Sequence, residues 1–420
     1  MRKIILFVCL SFVAVIASAQ IAINGNKYVS IQKIIGTDTT TVLIIDGVSN
    51  TDITYTGNGT TINWYKYSNG INTFYSSFKT IYPEDGSGYS LNVDGHVTHI
   101  WVIDHKLYKP ISIEPVIDPA NQCQNVTVNF SIPTMVYKTF NGVSQILQRD
   151  FKIKYKTLSW QDGTGWVKVD TTTQTIITPA TQKSIPTPYC DTKFTLYGDQ
   201  FATNMGINQD SISSSLYLTN AVISKLKTNV TSRDQGSGKN NEANFPTSQI
   251  PINFSAPIDV LFLSNANEPT TQYYLWGIYK DSKLLISRTD KDHRYTFTEA
   301  GTYIVKLTVS NAKCSFSDSL TIIVSESALY VPNVFTPNGD GLNDEFRVAY
   351  KSLLTFQCWV YNRWGRQVFT WTDPTKGWDG NINGKKAVPG PYFYVIKATG
   401  SDKKKYKLSG DINLLRGSKN

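Results

Sequence analysis

Histidine, methionine and closely spaced cysteines are what this chain conspicuously lacks: it has four His, three Met and five Cys in 420 residues. No Cys-x-x-Cys pair occurs, which excludes zinc ribbons and thioredoxin-type redox motifs. His96, His99 and His105 in "HVTHIWVIDH" raise zinc, which takes imidazole ligands. The pattern around them is strand-like, however, and a separation of three sends His96 and His99 to opposite faces. They read, with His293, as surface or half-buried strand residues. There is no Gly-x-Ser-x-Gly elbow, and no cysteine opens a helix that would lower its pKa. "GSGK" at 236–239 lacks the strand, length and helix of a phosphate loop. Catalysis by distant pairs of acids is the one class that spacing leaves open. Long Ala/Leu/Glu/Lys windows are missing too, which disfavours helices. After residue 19 no stretch approaches the roughly 18 apolar residues of a membrane span.

What is present is a leader and then β-forming sequence. Arg2 and Lys3 precede an apolar run from Ile4 to Ile16, and Ala17-Ser18-Ala19 offers a small-x-small cleavage pattern. Residues 1–19 are expected to be a secretory signal peptide. Cys9 lies too early for a lipid anchor. The formal charge is +9, about +7 without Arg2 and Lys3, and its lysines are diffuse except at Lys403-Lys404-Lys405 and Arg416 to Lys419. A solvated hairpin tip explains those clusters, and no nucleic-acid partner is expected for an exported chain. Four cysteines remain: Cys123, Cys190, Cys314 and Cys358. They allow three pairings; Cys123 with Cys190 is preferred because both fall in one region, with Cys314 and Cys358 free.

Aromatics make up 12% of the chain and Thr and Ser are abundant, which favours strands. In "ILQRDFKIKYKTLSW", Phe151, Ile153 and Tyr155 alternate with Lys152, Lys154 and Lys156, one face for a core and one for water. Asp162-Gly163 then marks a hairpin turn. Turn signals every eight to twelve residues suggest sandwiches. The expected fold class is all-β, tandem sandwiches with a further small sandwich at the C-terminus. Residues 20–115, with Trp64 on one strand and Tyr89 on a later one, resemble an immunoglobulin-type sandwich. Residues 116–250 form a second region, one sandwich or two small units, with a polar linker at 232–249.

"YTFTEAGTYIVKLTVSN", with a Gly turn at Gly301 and Tyr303, Val305, Leu307 and Val309 on one face, resembles the polycystic kidney disease (PKD) family. Trp276 and the opening "FSAP" fit, and 251–327 is read as a PKD-like unit. It has "WGIYKDSK" where that family has Trp-x-Phe-Gly-Asp-Gly, so no function tied to the family's Asp carries over. Asp-Ser/Thr triplets at Asp38, Asp170, Asp210 and Asp318 resemble O-glycosylation sites of secreted Bacteroidetes proteins; ordinary Thr/Ser-rich strand ends give the same pattern.

Five motifs close the chain: "VPNVFTPNGDGLNDEF" (331–346), "VYNRWGRQVF" (360–369), "GWDG" (377–380), "VPGPYFYVIKA" (388–398) and "GDINLLR" (410–416). In this order they closely resemble the gliding-motility-associated C-terminal domain, the type B sorting domain carried by cargo of the type IX secretion system. The resemblance assigns 328–416 to that domain. It implies passage through the periplasm, recognition by the translocon and an attachment machinery, and an end at the cell surface or in the medium. "PGPYFYV" is one residue tighter than the usual turn and "GDINLLR" replaces the commoner Gly-aromatic-Val-Thr-Leu, which bears on which partner subtype reads it. Val334, Phe335, Phe346 and Val348 are expected core anchors. Trp359, Tyr361, Trp364 and Trp378 are expected to supply buried area, and Asn362 to Gly365 a tight turn.

Within the first motif, Asn338, Asp340, Asn343 and Asp344 set oxygens at near-alternate positions with glycines between, as short calcium loops do. The competing reading is an Asx-turn network. No other cofactor and no catalytic residue is assigned. The expected function is a non-enzymatic secreted or surface cargo with a binding, adhesion or structural role. The alternatives are an accessory cargo that reports on the secretion system and a carbohydrate-binding or carbohydrate-active protein. The surface ligand is not legible.

Overall fold

A computed structural model describes residues 20–231, 252–254 and 256–416. The signal peptide (1–19) and most of the polar linker (232–249) expected from sequence lie outside the described residues. The chain forms two compact units, Met1–Ser159 with Lys168–Thr219, and Trp160–Val167 with Asn220–Asn420. It is all-β, a tandem series of sandwiches, with one short α-helix among the described residues.

In the first unit a six-stranded sheet runs in the order Tyr28–Ile35, Asp38–Ile45, His96–Asp104, Ser87–Val93, Ile62–Ser68, Ile71–Ser76. All its pairs are antiparallel except Asp38–Ile45 with His96–Asp104. The run "TVLII" explains the place of Asp38–Ile45: a strand covered on both faces has no polar alternation. Leu43 and Ile45 face a three-stranded sheet (Ile21–Asn24, Asp52–Tyr55, Thr80–Ile81) in a core with Trp64, Tyr89 and Val102. Val42 and Ile44 face the other way, onto Met135, Tyr137 and Leu147 of the hairpin Met135–Lys138/Ser144–Leu147 and onto Phe201 and Met205 of the helix Gln200–Met205. Asp199 caps that helix by accepting from Ala202 N, and Gly206 ends it at φ 64°.

The second sandwich of this unit pairs Ser112–Val116, Asn125–Ser131 and Gln182–Pro186 against a sheet built on Asp150–Gln161. Phe151, Ile153 and Tyr155 are buried while Lys152, Lys154 and Lys156 are exposed, as the period-two pattern predicts. They close a core with Val126, Val128, Phe130, Phe194 and Leu196.

The second unit opens with Lys227–Thr231, Ile258–Leu263 and His293–Phe297 in one sheet. The facing sheet orders Ile252–Phe254, Ser315–Val324, Gly301–Ser310, Tyr273–Lys280 and Lys283–Arg288. Trp276, Tyr303, Val305, Leu307 and Val309 are buried between them. The last sandwich centres on a five-stranded sheet ordered Val334–Phe335, Lys405–Leu414, Gly390–Gly400, Leu353–Tyr361, Gln367–Trp371. Phe335, Phe346, Val348, Cys358, Val360, Trp378, Ile396 and Ile412 form its core.

Three expectations are corrected here. Cys190 is a buried free thiol, as is Cys358, whereas Cys123 and Cys314 are disulfide-bonded, so the preferred Cys123–Cys190 pair is not made. Spacing within one region is a poor guide to which Cβ atoms meet. Trp364 is 75% exposed rather than a core residue, because it sits on a turn beyond the last strand pair. Val334 is 39% exposed; alternation sends Phe335 inward and its neighbour out.

Candidate functional site

The five C-terminal motifs, spread over more than eighty residues, meet at one end of the last sandwich. Val334 and Phe335 pair in parallel with Asn413 and Leu414 of "GDINLLR". Phe346 and Trp378 exchange backbone bonds of 2.8 and 3.0 Å, joining the first motif to "GWDG". The Trp378 ring lies 5.4 Å from Phe335 and 4.9 Å from Tyr392, and its Nε1 donates to Asn381 O at 2.8 Å. Arg416 closes the set: Nη1 donates to Pro337 O at 3.2 Å and Nη2 to Gly380 O at 2.8 Å. Sequence order alone does not show this convergence; the hydrogen-bonded register does.

The loop 336–344 brings Asn338, Asp340 and Asp344 together. Asp344 Oδ1 accepts from Asn338 N (2.9 Å) and Gly339 N (2.7 Å), and Oδ2 from Gly341 N (2.8 Å). Asp340 Oδ1 accepts from Leu342 N and Oδ2 from Asn338 Nδ2, both at 2.8 Å, while Asn338 Oδ1 accepts from Asp340 N. Asn343 contributes its carbonyl, to Thr336 N, and a left-handed φ of 50°. Gly339 and Gly341, at φ 85° and 87°, make the two reversals. Each carboxylate oxygen of Asp340 and Asp344 caps a loop N–H or amide donor, the pattern of an Asx-turn network. Among the described residues no three His, Cys, Asp or Glu side chains are grouped to hold a metal.

Beside these contacts, past the point where Tyr361 pairs with Phe393, Asn362 organises the hairpin tip between Leu353–Tyr361 and Gln367–Trp371. Its Oδ1 accepts from Trp364 N and Arg366 N, both at 3.0 Å, and its carbonyl from Gly365 N at 2.9 Å. Gly365 takes the φ of 76° expected of the turn. Trp364 is thereby displayed, with Arg363 stacked 4.4 Å from its ring centroid.

The remaining candidates resolve as structural. His96 is exposed; His99 is half-buried, 2.9 Å from Ser90 Oγ and stacked on Phe140, and burial holds its pKa below the usual imidazole value. His105 leaves the strand for a 3-10 turn and is buried, with Nε2 at 3.0 Å from Asp199 Oδ1. Arg149 Nε donates to Asp199 Oδ2 at 2.5 Å and Nη1 to Tyr108 O at 2.7 Å. Burial pushes the Asp199 carboxyl up, but the His105 hydrogen bond, the Arg149 charge and the Ala202 N–H outweigh it and hold it at about 2. All three side chains are at most 2% exposed, so this cluster ties elements together rather than meeting a substrate. His293 is buried and likewise depressed by burial.

Comparison with known families matches residues 116–214 to a fibronectin type III domain and residues 329–412 to the CHU_C type IX secretion signal domain. No curated protein sequence matches the chain. Among solved structures, the tetra-tandem repeat in the extending region of a large adhesion protein aligns over 90% of this chain and 99% of its own, at 12% identity and TM-score 0.22. Dimeric latent PorU from Porphyromonas gingivalis aligns over 84% of this chain and 40% of its own, at 10% identity and TM-score 0.16. Scores this low carry no fold assignment. Among the described residues no helix is long and apolar enough to cross a membrane. The chain thus carries a type IX secretion signal domain at its C-terminal end and a fibronectin type III domain before it, which implies handling by that secretion machinery and export to the cell surface or beyond.

Proposed function

We propose that this protein is a non-catalytic cargo of the type IX route, delivered through the periplasm and serving at the surface or outside as a binding, adhesion or structural module. The observation that carries the reading is the joined motif set at the C-terminal end, in which Arg416, Trp378 and the 336–344 loop lock one small sandwich together. The sandwiches before it have closed aromatic cores and an enclosed His–Asp–Arg cluster, which supports spacing and binding over chemistry. Fractionation of cells expressing the full chain or a chain ending at Ala328 tests this. The full chain is expected on the surface or in the medium and the truncated one in the periplasm; equal surface delivery of both would sink the reading.

One observation favours a carbohydrate-binding variant. The edge strand Ile71–Ser76 and the segment after it expose Ile71 (69%), Phe74 (60%), Phe78 (77%) and Tyr82 (72%). Exposed aromatics on an edge suit stacking against sugar faces, while the nearby Glu84 is engaged with Lys66 at 2.8 Å. Glycan-array binding lost in F78A/Y82A supports this variant; binding unchanged by that double substitution removes it.

A further inference from the structure

The five-stranded sheet of the sorting domain has a second face, away from the core, and a stripe of rings runs across it among polar residues. Strand register places Tyr361 opposite Phe393 and Trp359 opposite Val395 on that face. Phe393 is 45% exposed, and Trp359, Tyr361 and Val395 are each only half-buried. Three residues past Tyr361, the hairpin tip adds Trp364, held out by a turn whose hydrogen bonds come from Asn362 and not from the indole. Two cations sit over these rings, Lys397 5.7 Å from Trp359 and Arg363 4.4 Å from Trp364. Lys407 lies opposite Lys397 and Lys405 opposite Thr399, with Asp411 opposite Phe393 as the acid of the stripe. Aromatic side chains in a small domain belong in its core, where they supply most of the buried area. Rings left outside, ringed by cations and unnecessary to the turn that carries them, have the composition of an interface hot spot rich in Trp, Tyr and Arg.

We infer that the Trp359–Tyr361–Phe393 stripe with the Arg363–Trp364 tip is the surface by which the sorting domain docks on a protein of the secretion machinery, one that offers an apolar and acidic patch. The inference rests on the sorting reading above and names its contact face. The basic excess on the face sets the acidic character of the partner, and the rings set its apolar centre.

The test expresses four forms of the full chain and one truncated before residue 329, and measures the surface-delivered fraction alongside the melting temperature of the purified proteins. W364A/F393A is expected to melt with the wild type and to fall at least about tenfold in surface delivery, as loss of hot-spot aromatics does to binding. Y330S, at a ring 72% exposed outside the stripe and the five motifs, is expected to be delivered normally. If W364A/F393A melts lower, R363E/K397E, which removes no buried ring, carries the same expectation. Normal delivery of the aromatic and charge-reversal variants with the truncated chain retained would overturn the docking face and leave the sorting reading standing. Normal delivery of the truncated chain would overturn both. Sedimentation of the purified chain with phosphatidylglycerol vesicles, lost in W364A/F393A, would assign the face to a lipid surface and overturn the protein partner.

Discussion

Asp199 is the residue on which the first unit's polar interior turns. Its carboxylate accepts from His105, Arg149 and the helix N–H of Ala202, and it lies fully buried. Its pKa is depressed in the folded chain to about 2, below the unfolded value of about 3.9. The stabilisation is therefore complete above about pH 4 and is lost as pH falls toward 2, by about 2 kcal/mol at the low end. Urea midpoints between pH 5 and 2 check this: wild type should weaken through that window. D199N should be weaker by about 3–5 kcal/mol at pH 6, because Arg149 is left buried and unpaired, and its midpoint should show less of the acid slope. A D199N midpoint equal to wild type would contradict the account. Cys358 behaves oppositely: burial alone pushes its thiol well above the ordinary value, and Cys190 is raised chiefly by burial as well. Neither should react with iodoacetamide at pH 8 in the native chain, and both should react in urea; mass spectrometry reads the outcome.

At the scale of elements, the 336–344 loop and the "GWDG" turn behave as two halves of one joint. D344A strips acceptors from three backbone N–H groups and is expected to cost about 1–3 kcal/mol. If the Asx network alone holds the loop, a chelator leaves the wild-type melting temperature unchanged; a drop of several degrees that calcium restores would show that the loop binds the ion. W378A removes a side chain with no exposed surface and is expected to cost about 3–5 kcal/mol, read as a shifted urea midpoint. What the sequence made legible here follows from range. Period-two alternation put Phe151, Ile153 and Tyr155 inside, because adjacent residues on a strand decide it. The Asx loop closes within seven residues, so its hydrogen bonds were also readable as residue types. The His105–Asp199–Arg149 cluster was not, since its partners lie 94 and 50 residues apart. Trp364 was misplaced for a subtler reason: hydrophobicity marks it for burial, but the Asn362 turn ends the paired strands before it.

For the whole molecule, the C-terminal motifs were readable as a domain of known role, while the covering of the first six-stranded sheet by the 135–147 hairpin and the helix at 200–205 was not. Both covers come from far along the chain, and neither announces its partner in its own pattern. Cysteine chemistry shows the same limit: Cys123 is disulfide-bonded, yet Cys190, the cysteine nearest to it in sequence, is a free thiol. Non-reducing peptide mapping is expected to recover Cys123 and Cys314 in disulfide-linked peptides and Cys190 and Cys358 as alkylatable thiols; a Cys190 disulfide would contradict the structure.

The central claim is that the C-terminal sandwich is an address that the secretion machinery reads. Its most direct test is transfer: residues 325–420 fused behind a signal peptide and a folded fluorescent reporter, in a host with an active type IX system. Protease treatment of intact cells, together with assay of the medium, reports where the reporter ends. The account predicts a reporter that is protease-sensitive on intact cells or released to the medium, and retained in the periplasm when the secretion system is inactivated. A fusion that stays in the periplasm of the active host while its sorting domain is folded would contradict it.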